Sequence, residues 1–188
     1  MRGWIRLAHG DLHGALQDAD AGLEHARIAN EPRLLYPMLA SHAWALLAAG
    51  REQAADSDAS ELLAMLALQG VPPTAPDWSG DLAVVLHGLG RGAELLELLT
   101  AANTPTPWLE AAAAVATGQF QLQRAADLYD HIRAQPHAAY ARLQAARHLV
   151  GAGRRAEANM QLSRALGFYR QVGATAYLGE ADALAASA

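Results

Sequence analysis

The sequence contains no cysteine and no lysine. Without cysteine there is no disulfide, no thiolate nucleophile and no cysteine-ligated zinc site. Without lysine, a Walker A loop, Schiff-base catalysis and Ser-Lys hydrolysis each lose a residue their chemistry requires. All 14 basic residues are Arg, which together with heavy Ala and Gly usage points to a GC-rich bacterial genome. No apolar run approaches the roughly 20 residues of a membrane span. Met1-Arg2-Gly3-Trp4 lacks the apolar core of a signal peptide. The expectation is a cytoplasmic protein with no membrane partner. The net charge of −5 offers no basic footprint for nucleic acid, so that partner is not expected either.

Phe, Val and Ile are sparse, whereas Ala and Leu dominate the 188 residues. That balance favours helix, because Ala and Leu lose little side-chain freedom there and β-branched residues lose more. Charge is unevenly placed. Residues 1–136 carry 8 Arg and 16 acids, a net of −8, and residues 137–188 carry 6 Arg and 3 acids, a net of +3. The basic end reads as a solvated Arg-bearing face or, more sharply, as a docking patch for an acidic partner.

One phrase recurs along the chain: an apolar helix, a Gly, a few polar residues, then Ala opening a second helix. It runs from Leu7 through Gly10 to Ala15, and returns from Leu47 through Gly50 to Ala55. Weaker copies centre on Gly90, Gly118 and Gly153. Shifted by 40 residues, Trp4 falls on Trp44, Leu7 on Leu47, Asp18 on Asp58 and Leu23 on Leu63. A tight turn between two helices explains the phrase, since Gly tolerates the left-handed conformation that ends the first of them. Seven positions before each Gly stand Gly3, Ala43, Ala83, Ala111 and Ala146, small enough for two helices to cross closely.

The run Gly10-Asp11-Leu12-His13-Gly14-Ala15, with a small residue seven positions upstream, resembles the tetratricopeptide signature, and Gly118-Gln119-Phe120 leading to Ala125 is a looser version. Arg6 stands where that pattern usually has an apolar residue. The stretches from Ala139 to Ala146, Gly153 to Ala158 and Ala165 to Ala174 are similar to the ending of bacterial multidomain regulators. Those proteins join a nucleotide cyclase or a DNA-binding domain to an ATPase and a helical-repeat tail. The resemblance implies an all-α, right-handed superhelix of about five antiparallel helical hairpins. The hairpins would span residues 1–30, 31–70, 71–103, 104–136 and 137–173, with Pro-marked breaks near 71–76 and 103–107 and a C-terminal cap over 174–188.

Several constellations invite a catalytic reading. Leu82 to Ala93 runs like a buried strand followed by a G-x-G-x-x-A turn, the dinucleotide-binding pattern, but it lacks a second strand and a downstream acid. His9 and His13 have metal-ligand spacing, yet Gly10 breaks the helix between them and no third ligand follows. Asp56, Asp58 and Glu61 lack the loop glycine of a calcium site, and read as a charged, exposed helix face. Asp127 and Asp130 sit on a helix with no cleft-forming partner. No catalytic residue, metal or cofactor is therefore assigned.

The resemblance places candidate partner-binding residues on the concave face: Trp4, Trp44, Leu47, Trp108, Tyr140, Leu143 and Arg147. Aromatic anchors and one Arg suit a helix or an extended peptide. Equally, these aromatics can pack between helices as core. The expectation is a non-catalytic protein-interaction or regulatory scaffold, with a small-ligand effector sensor or a structural oligomerisation unit as the alternatives.

Overall fold

A computed structural model of the chain describes residues 2–72, 77–102, 106–118 and 121–187, with side chains from residue 5 to residue 186. Among the described residues the chain is all-helical, with eleven helices and no strand. They are α1 (Arg2–Ala8), α2 (Leu12–Ala29), α3 (Pro32–Ala48), α4 (Glu52–Gln69), α5 (Trp78–Gly88) and α6 (Gly92–Ala102). The second half comprises α7 (Pro107–Thr117), α8 (Leu122–His131), α9 (Gln135–Gly151), α10 (Arg155–Val172) and α11 (Thr175–Ser187). The strand-like run Leu82 to Leu86 lies inside α5. Of the Pro-marked breaks, residues 73–76 and 103–105 lie outside the described residues, as do Gln119 and Phe120 of the second signature.

The turn glycines act as their spacing implies. Gly10, Gly50, Gly90, Gly118 and Gly153 all adopt positive φ, from 72° to 88°. At four of them the next residue donates its N–H to the carbonyl five positions back: Asp11 to Arg6, Arg51 to Leu46, Arg91 to Leu86 and Arg154 to Leu149. This is the Schellman closure, which satisfies carbonyls otherwise orphaned at a helix end. The Asp11 carboxylate then caps α2 by accepting the Gly14 N–H at 2.9 Å. Ala43, Ala83, Ala111 and Ala146 are each completely buried, as a close helix crossing requires. The surroundings of Gly3 lie outside the described side chains.

Each helix packs on its successor, from α1 through to α11. The odd-numbered helices α1, α3, α5 and α7 also pack in series, and α11 lies against both α9 and α1. Thr175 Oγ1 at the start of α11 donates to the His9 carbonyl at 3.1 Å. Ala8 of α1 shares a buried cluster with Leu143, Leu162, Tyr169 and Ala181. The larger core cluster runs from Leu23 in α2 to Ala145 in α9. A belt of aromatic rings links its halves: Trp44 of α3 lies 5.9 Å from His137 of α9, and Trp108 of α7 lies 5.8 Å from Tyr129 of α8.

Candidate binding cleft

Residues of five helices wall a cleft of about 510 Å³. Helix α1 contributes Leu7, the turn after it Gly10 and the start of α2 Leu12; α3 contributes Trp44, Leu47 and Ala48, α9 contributes Tyr140, Gln144 and Arg147, and α11 contributes Ala176, Tyr177 and Glu180. The spacing on α9 is i, i+4, i+7, one face of a helix. On α11, Tyr177 and Glu180 stand three apart on the same side. Trp44 and Tyr140 form the floor in an edge-to-face contact, with planes at 71°.

Four of the residues expected to bind a partner meet in this cleft: Trp44, Leu47, Tyr140 and Arg147. Their exposure differs from that of an open groove. Trp44 is only 3% exposed, with the Tyr140 and His137 rings of α9 packed against it, so it offers the cleft little free surface. Leu143 is fully buried against α10 and does not line the cleft. Its neighbour Gln144 takes the position on the cleft face. Trp108 is half-buried elsewhere, between Tyr129 and His137. The Trp4 side chain lies outside the described residues. Tyr177 and Glu180 escape the sequence reading because α11 looks there like a cap, and only its packing against α9 and α1 makes it a wall of the cleft.

The polar chemistry of the cleft is concentrated on its α9–α11 side. Arg147 Nη2 lies 2.7 Å from Glu180 Oε1, and Arg147 Nη1 donates to Gln144 Oε1 at 3.3 Å. The Arg147–Glu180 pair is a close charge contact without hydrogen-bond alignment, since Glu180 Oε1 is buried and receives no hydrogen bond. Burial pushes the Glu180 carboxyl above its ordinary value, and Arg147 opposes that rise. Burial likewise pushes the Tyr140 phenol up to about 12 and raises those of Tyr169 and Tyr177. Tyr169 stacks on Tyr177 at 5.0 Å, and its buried hydroxyl has no hydrogen-bond partner. The cleft thus combines an aromatic floor with buried, incompletely satisfied polar groups.

The acids weighed for metal or catalysis are engaged separately. Asp56 pairs with Arg91 at 2.6 Å and Glu61 with Arg27 at 2.7 Å. Asp58 is buried, not exposed, and takes His42 Nδ1 at 2.5 Å, while His42 Nε2 contacts Asp20 at 2.8 Å. This bridge across α2, α3 and α4 has no counterpart in the sequence reading. Asp130 pairs with the buried Arg142. His13 contacts Gln17 at 3.0 Å, and among the described residues no group of three His, Cys, Asp or Glu is placed to hold a metal ion. No helix among them is long and apolar enough to cross a membrane.

Compared with known protein families, curated proteins and solved structures, the chain matches none.

Proposed function

We propose that the chain is a non-catalytic protein-interaction module, a tetratricopeptide-like helical superhelix of the kind found at the tail of bacterial regulators. Its partner is a protein segment that inserts an apolar side chain into the cleft above Trp44 and Tyr140. The observation that carries this reading is the convergence of Trp44, Leu47, Tyr140 and Arg147 on one cleft, from helices far apart in the chain. Leu47 supplies apolar contact, the aromatic floor supplies area at low entropic cost, and Arg147 supplies directed donors at the rim. A cavity of about 510 Å³ suits one anchoring side chain and its flanking backbone better than a whole helix.

Selection of displayed random peptides on the wild-type chain, with counter-selection on a Leu47→Arg variant, tests the reading. Recovery of peptides sharing one large apolar residue supports it. Recovery of none, or of peptides indifferent to the substitution, contradicts it.

One observation favours a second reading, a small polar effector. Glu180 Oε1, on a residue that lines the cleft, is left without a hydrogen bond, and a compact ligand with a hydroxyl or amide group would satisfy it. Thermal stabilisation by a small-metabolite panel, abolished by Glu180→Gln, would favour it over the peptide.

A further inference from the structure

On the side of the molecule formed by α4 and α6, a groove of about 690 Å³ is lined by Leu63, Ala64 and Ala67 from α4 and by Leu98 and Ala101 from α6. Both helices carry more apolar surface than the fold covers. Leu68 at the end of α4 is 85% exposed. Helix α6 buries only Gly92 and Leu95, leaving Ala93, Leu96, Leu98, Leu99 and Ala101 exposed or half-covered. A surface helix that is apolar on most sides leaves a patch that marks an interaction site.

The charge around this groove is negative on balance. Glu94 and Glu97 line it, Asp56 reaches it through Arg91, and neither α4 nor α6 contains an Arg or a His. Arg91, the cation that lines the groove, is already engaged by Asp56 and Glu94 at 2.6 Å each.

The complementary surface lies at the other end of the same chain. Helix α10 exposes a narrow stripe of Ala156, Asn159, Met160, Ser163 and Gly167, with Met160 at 60% exposure. At 100° per residue, Arg155 and Arg164 fall on the two flanks of that stripe and Arg170 lies at its C-terminal end. Arg164 has only a distant contact, 3.9 Å to the exposed Asp127. The acid within the same helix, Glu157, is held by Arg154 at 2.7 Å.

We infer that the chain associates head to tail with a second copy of itself, the basic face of α10 in one molecule seating in the acidic α4–α6 groove of the next. Ala156, Ser163 and Gly167 on one surface, and Ala64, Ala67 and Ala101 on the other, let the helix axes approach to about 8 Å. Met160 enters the groove between Leu63 and Leu98, while Arg164 and Arg170 meet Glu97 and the Asp56–Arg91–Glu94 cluster, in which two acids face one cation. Because the two surfaces differ, the contact is heterologous, and it grows into rings or open chains rather than stopping at a two-fold dimer. This goes beyond the cleft described above, which lies elsewhere and is untouched by it.

The test is the solution mass of the full chain by analytical ultracentrifugation over about 5 to 500 µM, in about 20 mM and about 500 mM salt. The expected result is a mass that rises above 19.9 kDa with concentration and falls back in high salt. Two charge-reversed variants, Glu94→Arg/Glu97→Arg and Arg164→Glu/Arg170→Glu, should each remain monomeric alone, and an equimolar mixture of them should regain association. All four positions are exposed, and circular dichroism checks that both variants are folded. A wild-type mass of 19.9 kDa across the whole range overturns the inference. So does association that survives both reversals, or a mixture that stays monomeric.

Discussion

Trp44 of α3 and Tyr140 of α9 meet edge to face with ring centroids 5.6 Å apart. The contact ties the first half of the chain to the second, and makes one pair of rings both core and cleft floor. Trp44→Ala should therefore cost about 3–5 kcal/mol of stability, as large-to-small substitutions in a packed core do. Tyr140→Phe keeps the ring and should cost less than about 1.5 kcal/mol. Urea denaturation of the two variants checks the difference.

The His42 bridge predicts a pH dependence. Asp58 and Asp20 both favour the charged imidazolium, and they raise the His42 pKa against the opposing effect of burial. A raised folded pKa means that this stabilisation is fully present below about pH 6.5 and is lost as pH rises through the higher folded value. His87 has the opposite sign, because burial and the neighbouring His148 lower its pKa. It removes stability as pH falls below about 6.5. These two contributions should place a maximum of the urea midpoint near neutrality, and His42→Gln should flatten the alkaline limb alone.

Arg133 closes α8 in the left-handed conformation at φ 61°, where the other Schellman turns place Gly. The Ala134 N–H donates to the Tyr129 carbonyl in the same closure. Arg133→Gly should stabilise the fold by about 0.5–1 kcal/mol by relieving the Cβ conflict. A thermal melt should shift upward by a few degrees.

Two glycines should respond in opposite ways to alanine. A Cβ on Gly92 would lie 2.1 Å from the Ala116 carbonyl oxygen, a backbone atom that cannot step aside. Gly92→Ala should cost about 1–3 kcal/mol. Gly167, inside α10, has nothing within 4 Å of its would-be Cβ, so Gly167→Ala should add about 0.5–1 kcal/mol through helix propensity. Paired denaturation curves settle the sign of each.

The first of these glycines also separates what a sequence carries from what it hides. Gly92 belongs to the run that imitates a phosphate-binding turn, yet its small size serves the approach of α6 to α7. Turn glycines and buried alanines are legible because each records a local demand, a left-handed residue or a close crossing. The burial of Trp44 is not, because it depends on α9 arriving from far along the chain. Leu143 and Gln144 differ by about 100° on one helix, and only the position of α10 decides which of them enters the core. Asp58 looks like one more acid on a charged face until α3 brings His42 against it. Cleft residues on α11 stay hidden for the same reason, since nothing local distinguishes a cap from a wall.

Whether the cleft over Trp44 and Tyr140 receives a partner's side chain is decided by one set of affinities. A selected peptide is titrated against the wild type, Leu47→Arg and Ile28→Arg, an exposed control position away from the cleft. At least a tenfold loss, about 1.4 kcal/mol, is expected for Leu47→Arg, with no change for the control. Equal affinity for all three would contradict a binding role for the cleft.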